Sequence, residues 1–74
     1  MLTTKQTIQA IKKHKGTVIV NARIGEFGLW VAVAKSELIR QLQHSYAPHV
    51  DENQEWLDVE VDDNGDLSVE YTNN

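Results

Sequence analysis

The chain has no cysteine, one proline and four glycines in 74 residues, and no basic residue lies beyond Arg40. Each shortage removes a class of explanation. Without cysteine there is no disulfide framework, thiolate zinc site or thiol nucleophile, so nothing calls for an oxidising compartment and a cytoplasmic location is expected. No apolar run approaches the roughly 18 residues of a membrane-spanning helix. Residues 1–16 are a mixture of Thr, Gln and Lys with no signal-peptide apolar block. Two Trp, two Tyr and one Phe are few aromatics. Trp30 and Trp56 also lack basic flanks, so they read as core or edge anchors and not as base-stacking platforms. There is no HExxH, serine elbow, P-loop or dinucleotide-binding glycine pattern. The expectation is a protein that is not an enzyme and uses no cofactor and no metal.

What is present suffices for a fold. Leu, Ile, Val and Phe make up 20 of the 74 residues, above the roughly 20% floor for a chain that can order itself. A single domain over residues 1–74 is expected, with one core supplying roughly 3–5 kcal/mol of net stability at this size. No linker, internal repeat or low-complexity tract divides the chain.

The net charge of −4 conceals a division along the chain. Residues 1–50 carry all seven basic side chains against Glu26 and Glu37, a net +5. Residues 51–74 carry nine carboxylates and no Lys or Arg, a net −9. Such asymmetry implies either basic helices lying over acidic strands or an acidic surface offered to a cationic partner.

Thr3-Thr4-Lys5-Gln6 fits a capping box and predicts a helix over residues 4–15, with Ile8, Ala10 and Ile11 as its apolar stripe. Lys12, Lys13, His14 and Lys15 complement the last turn, and Gly16 is expected as a left-handed stop. Residues 17–23 and 29–34 are β-branched, aromatic or small and predict a hairpin around the loop 24–28. With Arg23 opposite Leu29, one face carries Val18, Val20, Ala22, Trp30, Ala32 and Ala34. The other carries Ile19, Asn21, Leu29, Val31 and Val33. Ser36 is the expected N-cap of a second helix over residues 36–46, with Leu38, Ile39, Leu42 and Tyr46 at helical spacing.

The last twenty residues alternate strictly, WLDVEV and LSVEY, around an Asn-Gly-containing loop. A two-residue turn would mix apolar and acidic groups on both faces. A three-residue loop Asp63-Asn64-Gly65, with Gly65 left-handed, pairs Val61 with Leu67, Val59 with Val69 and Leu57 with Tyr71. Six apolar side chains then share one face, and Asp58, Glu60, Asp62, Asp66, Ser68 and Glu70 share the other. Asp58 opposes Glu70 and Asp62 opposes Asp66, like-charge pairs that cost tenths of a kcal/mol or more. An ordinary solvated face does not require that cost, which points to a functional acidic surface.

Other candidate chemistry is weaker. Aligning Gly65 with the glycine of a calcium loop places Glu60, Asp62 and Asn64 at ligand positions, but the required bidentate Glu falls on Tyr71 and the flanks are strands. His44 and His49, near Asp51 and Glu52, are loosely spaced across a helix end and a Pro turn and do not share a face by necessity.

These readings assemble into a two-layer α+β fold of order α-β-β-α-β-β: a mixed four-stranded sheet with two helices on one face, the second and third strands parallel. On the far face, Asp58, Glu60, Asp62, Asp66 and Glu70 would lie beside an apolar strip of Leu29, Val31 and Val33. In format the chain resembles small phage or mobile-element products that bind and block host machinery, a likeness of type that assigns no residue. The expected function is a protein-binding module offering carboxylates to a basic, nucleic-acid-binding site of a partner protein. The alternative is a structural or regulatory homo-oligomer, for instance a homodimer, joined through the apolar strip. Direct nucleic-acid binding through Lys5, Lys12, Lys13 and Lys15 is disfavoured by the net charge.

Overall fold

The computed structural model describes residues 1–24, 27–46 and 51–71, with side chains for 1–21, 29–44 and 51–71. The elements are α1 (Thr4–Lys13), β1 (Val18–Ile24), β2 (Phe27–Val33), α2 (Lys35–Gln41) continued by a π-helical turn (Leu42–Tyr46), β3 (Leu57–Val61) and β4 (Leu67–Tyr71). The fold is α+β, in the order expected. Residues 25–26, within the expected first loop, and residues 47–50, which include Pro48 and His49, lie outside the described residues.

Thr3 caps α1 as a full capping box: its hydroxyl accepts from the Gln6 amide at 3.2 Å, and the Gln6 side chain accepts from the Thr3 amide at 2.9 Å. The helix ends at Lys13, two residues earlier than expected, and Gly16 is not a left-handed stop. His14 is the extended C-cap, its amide reaching the Ala10 carbonyl at 3.0 Å. The chain leaves the helix early because the Thr17 carbonyl accepts the Leu67 amide at 2.9 Å, which sets the start of the β1–β4 pairing. Glycine at 16 answers a need for space: a Cβ there would lie 2.9 Å from His14 Nε2 and 3.2 Å from the Gly65 carbonyl oxygen.

The second helix also starts differently from expectation. Ala34, not Ser36, is the N-cap and makes no side-chain cap bond. The Lys35 ammonium instead donates to the His14 carbonyl, tying the start of α2 to the end of α1.

The strand order is β2-β1-β4-β3. Both hairpins are antiparallel, and β1 runs parallel to β4 through Val18–Leu67, Ile19–Ser68 and Val20–Val69. β2 and β3 therefore point the same way, as expected, but lie at opposite edges of the sheet. The outer edge of β3 is partly closed by Leu2, whose amide donates to the Leu57 carbonyl at 2.8 Å.

Both helices cover one face. Ile11, Leu38 and Leu42 meet Val18, Leu57, Leu67 and Val69 in a buried cluster, with Val20, Val33, Val59 and Tyr71 packed around it. Trp56 closes this core at the start of β3. It stacks on Tyr71 with centroids 5.4 Å apart and donates Nε1–H to Thr4 Oγ1 at 2.8 Å.

The C-terminal hairpin adopts the expected register, Leu57–Tyr71, Val59–Val69 and Val61–Leu67, with Gly65 at φ +83°. The N-terminal hairpin does not. Arg23 pairs with Gly28 and Val18 with Val33, a one-residue offset from the Arg23–Leu29 pairing expected above. Because strand side chains alternate with period two, that offset moves every β2 side chain to the opposite face. Leu29, Val31 and Val33 thus share the helix-covered face with Val18 and Val20, and no apolar strip of these three borders the carboxylates. Trp30 and Ala32 take their place beside Ile19 and Asn21.

Candidate protein-binding face

The face that the helices leave bare is built from alternate residues of all four strands. The paired residues Ala32, Ile19, Ser68 and Glu60 form one transverse row across β2, β1, β4 and β3. Two of the four are short, so the row sinks into a depression of about 550 Å³. Trp30 walls it on the β2 side, and Glu60, Asp62 and Asp66 stand on the β3–β4 side. Trp30 is 44% exposed, against 7% for Trp56, so the two tryptophans do different work. One anchors the core; the other stands at the surface near acids.

The acidic residues are not equivalent. Asp58 faces Glu70 across the ribbon, as the alternation predicts. Glu60 is exposed and faces Ser68, whose hydroxyl donates to the Glu60 carbonyl at 3.1 Å. Asp62 is an organiser of the loop. Its Oδ1 accepts the amides of Asn64 and Asp66, both at 2.9 Å, while its own amide donates to the Asp66 carbonyl at 2.9 Å. Asp62 and Asp66 close the ribbon as a backbone pair, and the hydrogen bonds gathered by Asp62 offset their like charge. Among the described residues, the side chains of Asp58, Glu60 and Asp66 meet no Lys or Arg. α1, with its lysines, packs through Ile11 on the other face of the sheet.

Next to Trp30, the Asn21 side-chain oxygen is buried and accepts no hydrogen bond from the described residues. Nothing in the alternation marked this atom, since an Asn in a strand is unremarkable until its neighbours are known. Alternation alone puts Trp30 on the other face, and only the observed register sets it beside Ile19.

A second, more polar groove of about 670 Å³ runs along α1 between Lys5, Gln9 and Lys12 on one side and Gln43, Glu52 and Asn53 on the other. His44 is exposed in the π-helical turn, and its proposed companion His49 lies outside the described residues. Among the described residues, no three His, Asp or Glu side chains are grouped to hold a metal, and no helix is long and apolar enough to cross a membrane. The ion pair of α2 joins Glu37 to Arg40, with the Gln41 amide also donating to Glu37 at 3.3 Å. The Arg40 guanidinium, helped by Gln41, holds the Glu37 carboxyl below the usual carboxylate range.

Comparison with protein families, with curated proteins and with solved structures gives no match.

Proposed function

We propose that this chain is a small, non-catalytic binding module whose bare sheet face docks onto a basic site of a partner protein, one shaped to hold nucleic acid. The observation that carries this reading is the meeting, in one depression, of an exposed indole with carboxylates that have no cationic partner among the described residues. Carboxylates supply attraction at range and a fast on-rate. Desolvation of Trp30 and Ile19 supplies affinity, because buried aromatic anchors dominate binding energy at interfaces. A groove for single-stranded nucleic acid pairs a cationic track with aromatic platforms. Glu60, Asp66 and Asp58 would sit where phosphates lie, and Trp30 where a base stacks. Inhibition of host nucleic-acid machinery in the cytoplasm, of the phage or mobile-element kind, is the role that accompanies such a surface.

The test is affinity capture from a lysate of the source organism, followed by titration of the captured partner. Two sets of variants are compared with the unaltered chain: Asp58→Asn with Glu60→Gln and Asp66→Asn, and Trp30→Ala alone. Asp62 is left intact because it holds the loop. The expected partner carries a basic nucleic-acid site, and nucleic acid competes for it. The charge variant should lose on-rate and salt dependence, while Trp30→Ala should weaken binding by about 30-fold, a hot-spot loss of roughly 2 kcal/mol. Capture that is unaltered by both variants and insensitive to salt would sink the proposal.

A further inference from the structure

The two edges of the sheet are treated differently. β3 carries Asp58 and Glu60 and has Leu2 bridged to its outer side. β2 has neither protection. Its seven residues, FGLWVAV, contain no charge and no proline, and nothing among the described residues pairs with its outer side. Leu29 and Trp30, at its middle and on opposite faces, are 53% and 44% exposed. An uncharged, unblocked edge of this length is a template for another strand, because alternate residues turn unpaired N–H and C=O groups outward. Natural sheets ordinarily blunt such an edge with Lys, Pro or a covering segment.

We infer that β2 is the seam of a two-fold homodimer, in which β2 of one protomer pairs antiparallel with β2 of its partner near Trp30 to form one continuous eight-stranded sheet. Charge favours a second copy at this edge over one at β3. The strand order places β2 farthest from the acidic strands. Joining two copies there leaves β3 seven strand spacings from its counterpart, about 34 Å at 4.8 Å per strand. That exceeds the Debye length of about 8–10 Å at ordinary ionic strength several times over. Joining them at β3 would instead set Asp58 and Glu60 against their own copies. Antiparallel pairing about an axis normal to the sheet is self-complementary and closes, so it makes dimers and not fibres. It also keeps both helix layers on one side. Trp30 and its counterpart meet at the centre of the bare face, with an acidic ribbon toward either end. Trp30 therefore belongs both to the seam and to the binding face, whereas Leu29, on the opposite face, belongs to the seam alone.

Sedimentation of the full chain from micromolar to millimolar concentration should show a species of twice 8.4 kDa. Amide exchange over Phe27–Val33 should slow as concentration rises. Leu29→Lys points away from the acidic depression and tests the seam alone; it should leave the circular dichroism unchanged and shift the dimerisation constant by at least tenfold. A strict monomer at millimolar concentration would overturn the inference. So would a dimer whose β2 amides exchange equally fast at all concentrations, or one broken by Ile19→Lys but not by Leu29→Lys, which would mark a face-to-face contact. Salt-sensitive growth beyond the dimer would also overturn it, as that is the signature of basic helix layers stacking on acidic faces. The exchange measurement on the unaltered chain decides the matter even where a variant fails to fold.

Discussion

Asp62 shows how one side chain can be read correctly in position and incompletely in purpose. Alternation places it on the acidic side of the ribbon, yet its Oδ1 is occupied by the amides of Asn64 and Asp66. Removing that acceptor leaves two donors without their partner, the one at Asp66 part-buried. Asp62→Ala should therefore lower stability by about 1–2 kcal/mol, the usual cost of losing a capping acceptor. Asp62→Asn removes the same charge but keeps the oxygen, and should cost less than half as much. Urea midpoints of the two variants, with equal m-values, separate the loop role from the charge. Equal losses would assign the effect to charge and contradict the hydrogen-bond account. Gly65, at φ +83°, is the other fixed point of this loop, since side chains with a Cβ adopt that conformation at a cost.

At the scale of the element, α2 combines a weak start with a compensating surface. Its N-cap, Ala34, offers no side-chain acceptor. Glu37 in the first turn meets Arg40 and Gln41 one turn on. Arg40, first, and Gln41 depress the Glu37 pKa in the folded state. The resulting stabilisation is fully present above the unfolded-state value and is lost as pH falls through the folded one. The contribution is small, because both groups are solvent-exposed and screened. Acidification should therefore loosen α2 while Glu37 protonates, and Glu37→Gln should abolish that step. Chemical shifts of the 35–41 amides, followed from neutral to acid pH, report it; an identical transition in the variant would refute the assignment.

The two hairpins differ in how far sequence specifies them. In the C-terminal one, residues that alternate between apolar and acidic leave a single register that keeps unlike groups apart, and the loop residues agree with it. In the N-terminal one, Ile19, Val20, Val31 and Ala32 are acceptable on either face, so alternation carries no preference between registers one residue apart. The offset exchanged Leu29, Val31 and Val33 for Trp30 and Ala32 on the bare face. Half of the candidate site, its acidic side, was thus legible in the sequence. Its aromatic side was not.

For the molecule as a whole, a net stability of roughly 3–5 kcal/mol is the controlling quantity at this length. Trp56 links α1, β3 and β4 through its bond to Thr4 and its stack on Tyr71. Truncating a buried tryptophan to alanine costs about 3–5 kcal/mol, as much as the entire fold supplies. Trp56→Ala should accordingly be unfolded at room temperature, seen as collapse of amide dispersion. Trp56→Phe, which retains a ring against Tyr71 but loses the indole N–H, should remain folded with a lower denaturant midpoint. A folded Trp56→Ala variant would show that the core is redundant.

Element order, the capping box at Thr3 and the inward and outward sides of the last hairpin were settled by local chemistry, in which near neighbours along the chain supply both the preference and its satisfaction. Which strands adjoin, where α1 ends and α2 begins, and which tryptophan faces solvent came from long-range demands. The Thr17 carbonyl had to meet Leu67, Lys35 had to reach His14, and the helices could cover only one side of the sheet. These contacts join residues far apart in the chain, and no periodicity within a short window encodes them.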